Sequence, residues 1–237
     1  MSDKYRRGRG KGERMETTSL NENTYALLKN DIMTLKLVPG EAVSAAKIAD
    51  RYKVSRTPAR EAIVKLDKEG LLKIIPQSKT MISKIDLNRA AQEWFVRSSL
   101  ELAMVPAFIR NCTEETIQNM EDNLQEQRRT HIPVDAIEHF RLDNAFHGII
   151  YETAGENLAK EIIDSQMTHY NRIRFLTDLN MEIREKTLKE HEDMIQAARE
   201  KDAEWLQALI KRHIRRIYKE QNEIVEKYPE YFLEREV

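Results

Sequence analysis

Asp143 and His147 stand four residues apart in a stretch whose apolar residues recur at helical spacing. Both side chains therefore project from one helix face about one turn apart, a separation that suits two ligands of a single ion. His191 and His213 fall on the apolar stripes of two later stretches, Leu188, His191, Met194, Ile195 and Leu206, Leu209, Ile210, His213, Ile217. Three imidazoles and one carboxylate form a donor set suited to zinc, nickel or a similar transition metal rather than calcium or magnesium. An inward-facing histidine is more commonly a core residue bonded to backbone, so spacing alone leaves both readings open. His139, one turn before Asp143, could support a ligand from behind, while His131 and His169 read as peripheral.

A metal held in this way could also be catalytic, with Glu190 or Glu192 beside His191 as general base. No base or nucleophile motif supports that alternative, and binding is the reading preferred over enzyme chemistry. The lone Cys112 excludes an internal disulfide and reads as a buried residue.

The elements that must carry these residues are helices. From Asp86 onward the periodicity predicts helices near 87–110, 113–130, 134–154, 156–177, 180–200 and 202–227. They should form an antiparallel all-α bundle of about six or seven helices.

The stretch from Ser44 to Ile82 reads differently. Ser44 can cap a helix carrying Ala45, Ala46, Ile48, Ala49 and Tyr52; Lys53 and Val54 form a turn, and Ser55 caps a second helix with Pro58 in its first turn. That helix buries Ala59, Ala62, Ile63 and Leu66, exposes Arg56, Thr57, Arg60 and Lys65, and ends at Gly70. Leu71 to Ile75 and Met81 to Ile85 predict two strands with Pro76, Gln77, Ser78 and Lys79 as their tip. A helix, a turn, a helix and a β-hairpin compose a winged helix-turn-helix, in which the N-terminal end of the second helix meets base edges and arginine pairs with guanine. Ser55, Arg56, Thr57 and Arg60, with Gln77 and Lys79 on the wing, are the expected DNA contacts.

Charge divides the chain the same way. Residues 1–85 hold 18 Lys and Arg against 10 Asp and Glu, whereas residues 86–237 hold 21 against 30, so a net charge of −1 conceals a basic half and an acidic half. A basic half suits phosphate, and an acidic one should stay away from it. The expected organisation is a basic unfolded tail over 1–18, a winged helix-turn-helix over 19–85 and a helical domain over 86–237. The tail, with Arg6, Arg7, Arg9, Lys11 and Arg14, either tracks DNA or is simply solvated. No run approaches the roughly 20 apolar residues of a membrane span, and a cytoplasmic protein is expected.

The run Val54-Ser55-Arg56-Thr57-Pro58-Ala59-Arg60-Glu61-Ala62, then Leu66 and Glu69-Gly70-Leu71, resembles the DNA-binding domain of the GntR family of bacterial transcription regulators. Arg97 with Leu100-Glu101, Asp143, Phe146-His147, Gly155 to Asn157, His191 with Ile195, and His213 resemble the FCD ligand domain of its FadR subfamily. The likeness spans about residues 22–222. It implies a divalent metal on Asp143, His147, His191 and His213 that helps bind a small carboxylic acid. Arg97, expected to face inward, would pair with a remaining charge of the acid, with Arg172 and Arg174 as weaker partners.

The function expected from both lines is a homodimeric, nucleoid-associated repressor on a palindromic operator, whose DNA affinity follows the carboxylic-acid effector. A sensor of the metal itself is the other binding alternative. Ala46, where many relatives carry arginine, and Lys79, where many carry glycine near the wing tip, mean that operator sequence cannot be transferred from relatives.

Overall fold

The computed structural model describes residues 12–234, with the side chains of 12–21, 217 and 218 left aside. The chain forms two compact units, Met1–Ser83 and Lys84–Val237.

The first unit runs α1 (Gly12–Met33), β1 (Ala42–Val43), α2 (Ala45–Tyr52), α3 (Arg56–Lys68), β2 (Leu72–Ile75) and β3 (Lys79–Ile82). Helix α1 begins inside the stretch read as an unfolded tail over 1–18. Its turns around Leu28 and Ile32 are buried in the core, and an anchored helix extends at the cost of one residue per added bond. Residues 1–11 of the expected tail, with Arg6, Arg7, Arg9 and Lys11, lie outside the described residues. Tyr25 Oη and Lys29 Nζ of α1 bind Glu69 at the end of α3, at 2.6 and 2.9 Å.

Ser44 Oγ accepts from the Lys47 N–H at 3.2 Å, as expected of a cap. Ser55 occupies the equivalent position before α3 but makes no capping bond with its side chain. An N-cap oxygen normally bonds the second or third N–H of its helix, and the third residue of α3 is Pro58, which has none. Gly70, at φ 76°, takes the left-handed conformation that ends the helix.

The wing departs from expectation in register. Strand β3 covers Lys79–Ile82 rather than 81–85, and Lys79 pairs opposite Ile75 in the ladder instead of sitting at the tip. Gln77 adopts φ 57°, which folds the turn tightly enough to leave only Pro76, Gln77 and Ser78 between the strands. A third strand, the two-residue β1, pairs with β3 and gives the order β1-β3-β2. Ile85 belongs to the second unit, where it bridges to Phe232.

The second unit contains α4 (Leu87–Asn111), α5 (Glu114–Arg129), α6 (Ala136–Ala154), α7 (Asn157–Gln166), α8 (Thr168–Asp178), α9 (Met181–Arg199) and α10 (Ala203–Lys227). Helix α4 packs on α6, α8 and α10, while α5 lies against α6 and α9. The helix expected over 156–177 is two helices, broken at Met167 (φ −84°, ψ 54°). The buried Glu93 carboxylate of α4 accepts from the His169 and Tyr170 N–H groups, both at 2.8 Å, and from Thr168 Oγ1 at 3.2 Å. A carboxylate satisfying first-turn N–H groups starts a new helix there. Among the described residues no helix is long and apolar enough to cross a membrane.

Candidate metal centre and nucleic-acid interface

Asp143 and His147 on α6, His191 on α9 and His213 on α10 converge, all buried, with their ligand atoms within 4.8 Å of one another. His147 Nε2 lies 3.3 Å from His213 Nε2, and His191 Nε2 lies 3.5 Å from Asp143 Oδ1. Ligands about 2.1 Å from a tetrahedral zinc would stand roughly 3.4 Å apart, which these two separations match, within a set that spreads to 4.8 Å.

The far side of each ring is occupied by an acceptor. His147 Nδ1 donates to Glu101 Oε2 at 3.1 Å, His191 Nδ1 to Gln127 Oε1 at 3.1 Å and His213 Nδ1 to Glu190 Oε2 at 2.8 Å. The Gln127 amide is oriented in turn, because its Nε2 donates to Asn123 Oδ1 at 2.7 Å. With every Nδ1 protonated, every Nε2 presents a lone pair inward, the tautomer that metal-binding histidines adopt when an acceptor fixes their other nitrogen. His191 Nε2 is buried without a hydrogen-bond partner. Phe146 stacks on the His191 ring, with centroids 4.0 Å apart and planes 12° from parallel, which sets that ring's orientation.

Electrostatics keep the ligands in their binding forms. Burial lowers the tendency of His191 and His213 to take a proton. Burial alone would raise the Asp143 carboxyl, but the Arg174 guanidinium bonded to it holds it well below the usual carboxylate range. Glu101 is likewise kept ionised against burial by Arg97 and His147.

Arg97 and Arg174 both reach this interior. Arg97 Nε donates to Glu101 at 2.5 Å, so its charge is already engaged. Arg174 donates to Asp143 Oδ2 and binds Asn144 and Asn171 at 2.7 and 2.9 Å. Arg172, the other arginine of α8 read as a weaker effector partner, is buried as well. His139 bonds Thr130 Oγ1 at 3.0 Å and does not join the ligand cluster. His169 is buried but stands apart from the cluster, as expected, and its Nδ1 accepts the Asp86 N–H at 2.9 Å. Sequence reasoning gave no role to Glu101, Gln127, Tyr151, Tyr170 or Asp178. The one available signal was spacing: Glu101 follows Arg97 by four residues, and Tyr170, Arg174 and Asp178 repeat every four.

The proposed catalytic bases fail on geometry. Glu190 stands behind the His213 ring, also accepts from Arg216 at 2.8 Å, and is held at about 2 by these partners against the effect of burial. Glu192 is exposed and paired with Arg128 and Lys189. Neither can take a proton from water at the ion.

In the first unit Ser55, Arg56, Thr57 and Arg60 are all exposed at the start of α3, and Gln77 and Lys79 are exposed on the wing. The buried Pro58, Ala59, Ala62, Ile63 and Leu66 hold the opposite face of that helix in the core.

Comparison with known proteins agrees with this architecture. Residues 20–82 match the model of the bacterial regulatory proteins of the gntR family, and residues 94–216 match the FCD domain. The HTH-type transcriptional repressor RspR of Escherichia coli is 27% identical over 218 residues, covering 92% of this chain and 96% of that protein. The Nta operon transcriptional regulator of Aminobacter aminovorans is 25% identical over 187 residues, 79% of this chain and 87% of its own. Among solved structures, E. coli McbR/YncC superposes with a TM-score of 0.70 at 19% identity, covering 86% of this chain and 99% of its own. A GntR regulator from Rhodococcus sp. RHA1 reaches 0.71 at 18% identity, covering 89% and 99%. The chain belongs to the GntR family of bacterial transcriptional regulators, with a winged helix-turn-helix followed by an FCD domain, and is not an enzyme.

Proposed function

We propose that this regulator is a cytoplasmic homodimeric repressor whose affinity for a palindromic operator is controlled by a small carboxylic acid. The acid binds at a divalent ion, zinc in the first instance, held by Asp143, His147, His191 and His213. The observation that carries the reading is the set of three imidazoles whose Nδ1 atoms are each bound to an acceptor while their Nε2 atoms converge. The similarity to RspR, a protein named as a repressor, supports the sign of regulation.

Charge balance supports an anionic effector. Arg97 is matched by Glu101 and Arg174 by Asp143. A divalent ion in such surroundings leaves positive charge uncompensated, and buried unpaired charge is costly. A carboxylate supplies the missing negative charge and can bind the ion once it accepts a fifth ligand.

Arg56, Thr57 and Arg60 would then read the major groove from α3, with Ser55 beside them and Gln77 and Lys79 acting from the wing. Strand β3 is joined to α4, which carries Arg97, by only four residues. An effector changes DNA affinity only through unequal affinity for two arrangements of the reading heads, and this short connection is where such a change would pass.

The test is fluorescence anisotropy of a labelled fragment of the chain's own promoter, with zinc-loaded protein and a panel of small organic acids. Release of DNA by an acid in the presence of zinc, and not after chelation, is the expected result. Release that follows zinc concentration alone would instead make the ion the signal.

A further inference from the structure

The outer face of α10 is basic although its domain holds 30 Asp and Glu against 21 Lys and Arg. Lys211, Arg215 and Lys219 recur every four residues, so they share one exposed face and rise about 6 Å at each step. None of the three forms an ion pair among the described residues. Arg212 and Arg216 add two further charges, and all five side chains line one groove of about 540 Å³ with Glu190 and Glu220. Arg212 stands 3.6 Å from Glu190 and Arg216 2.8 Å, and Arg216 also meets Glu220 at 3.6 Å. Five cations against two carboxylates leave three positive charges in the groove. The Arg216 Nε–H is moreover buried with no acceptor. Like charges three and four residues apart on a helix repel, and Lys211 with Arg215, Arg215 with Lys219, and Arg212 with both Arg215 and Arg216 are such pairs. This arrangement weakens α10 unless an anion lies among the cations.

We propose that this groove binds a polyphosphate chain, free or as part of a nucleoside triphosphate, at a ligand site outside the metal centre. A single carboxylate would offset one of the three surplus charges, whereas linked phosphates offset them together and offer the paired oxygens that arginine forks grip. The volume lies within the range of small-molecule sites and suits a short chain better than a DNA duplex. Arg216 connects this groove to the metal ligands, because it and His213 share Glu190 Oε2 as acceptor.

Fluorescence anisotropy of ribose-labelled ATP titrated with zinc-loaded full-length protein tests this. Excess magnesium keeps the phosphates from stripping zinc, and elemental mass spectrometry checks the zinc afterwards. Binding should saturate at about 0.15 M salt, and the Lys211→Ala, Arg215→Ala, Lys219→Ala triple variant should bind at least tenfold more weakly. Those three side chains are exposed and their removal relieves repulsion, so the variant should keep its zinc and melt no lower than the parent. Arg56→Ala, Arg60→Ala protein should bind ATP as the parent does. Unlabelled tripolyphosphate should displace the label: displacement equal to that by ATP makes the phosphate chain the whole ligand, and stronger displacement by ATP makes it a nucleotide. ATP that tripolyphosphate cannot displace would be held by its base, which overturns the proposal. Absence of binding by the parent overturns it, as does equal binding by parent and triple variant. Binding lost in the Arg56→Ala, Arg60→Ala protein would assign ATP to the DNA-reading surface and overturn it too.

Discussion

His147 Nε2 and His213 Nε2 face each other across 3.3 Å although 66 residues separate them in the chain. Each ring donates its Nδ1 proton to a carboxylate, Glu101 for His147 and Glu190 for His213. Both facing nitrogens therefore carry lone pairs, which repel unless a cation stands between them. Replacing His191 and His213 together by Ala should abolish stoichiometric metal, measured by elemental mass spectrometry, and full metal content in that variant would sink the site. Glu190→Gln should leave an ion bound but weaken it by about 10 to 100-fold, the usual effect of removing a ligand's orienting partner.

The same repulsion predicts a strong response to metal. A ligand at 100 times its Kd adds about 2.7 kcal/mol of stability, or roughly 5 to 10 °C in a chain of this size. Zinc added to chelator-treated protein should raise Tm by that order, and the His191→Ala, His213→Ala double variant should not respond. An equal response in both would locate the zinc elsewhere.

Asp178 links the interior to pH. Burial and Asp143 raise its carboxyl to about 8, against about 3.9 in an unfolded chain. Between those values the folded state holds a proton that the unfolded state has released. This contribution is fully present below about pH 3.9 and is lost as pH rises through 8. At about 1.4 kcal/mol per unit the loss reaches several kcal/mol near neutrality. Asp178→Asn, which cannot ionise, should be more stable than the parent in the metal-free state, with the gap in denaturant midpoint widening from pH 5 to pH 8. A gap that stays constant with pH would show that Asp178 ionises freely in the fold.

The four candidate ligands were legible in the sequence through their places on helical stripes together with the family resemblance, since spacing alone left a core role equally open. Their supports were not. Glu101, Gln127 and Glu190 meet the three rings across chain separations of 46, 64 and 23 residues, and neither the spacing of Glu101 from Arg97 nor the place of Glu190 beside His191 says which ring each one meets. The break at Met167 was hidden for the same reason, since the carboxylate that starts α8 belongs to Glu93 on α4. In the wing the hairpin itself was readable from its β-branched residues. Its register depended on a left-handed Gln77, a conformation glycine or asparagine would have announced and glutamine does not.

The reading surface makes a separable prediction about DNA. Arg56 and Arg60 are exposed on the first turns of α3, where a fork of N–H donors can pair with guanine, whereas Lys79 lies on the wing. An arginine that reads a base contributes discrimination, so Arg60→Ala should cost about 1 to 3 kcal/mol on the operator and relax sequence preference at one position. A lysine that meets phosphate contributes only through counterion release. Lys79→Ala should weaken specific and nonspecific binding alike and reduce the slope of log K against log salt by about one. Anisotropy titrations at several salt concentrations distinguish the two. If Arg60→Ala changed only the salt slope, Arg60 would be a phosphate contact, and base reading would fall to Arg56 and Thr57.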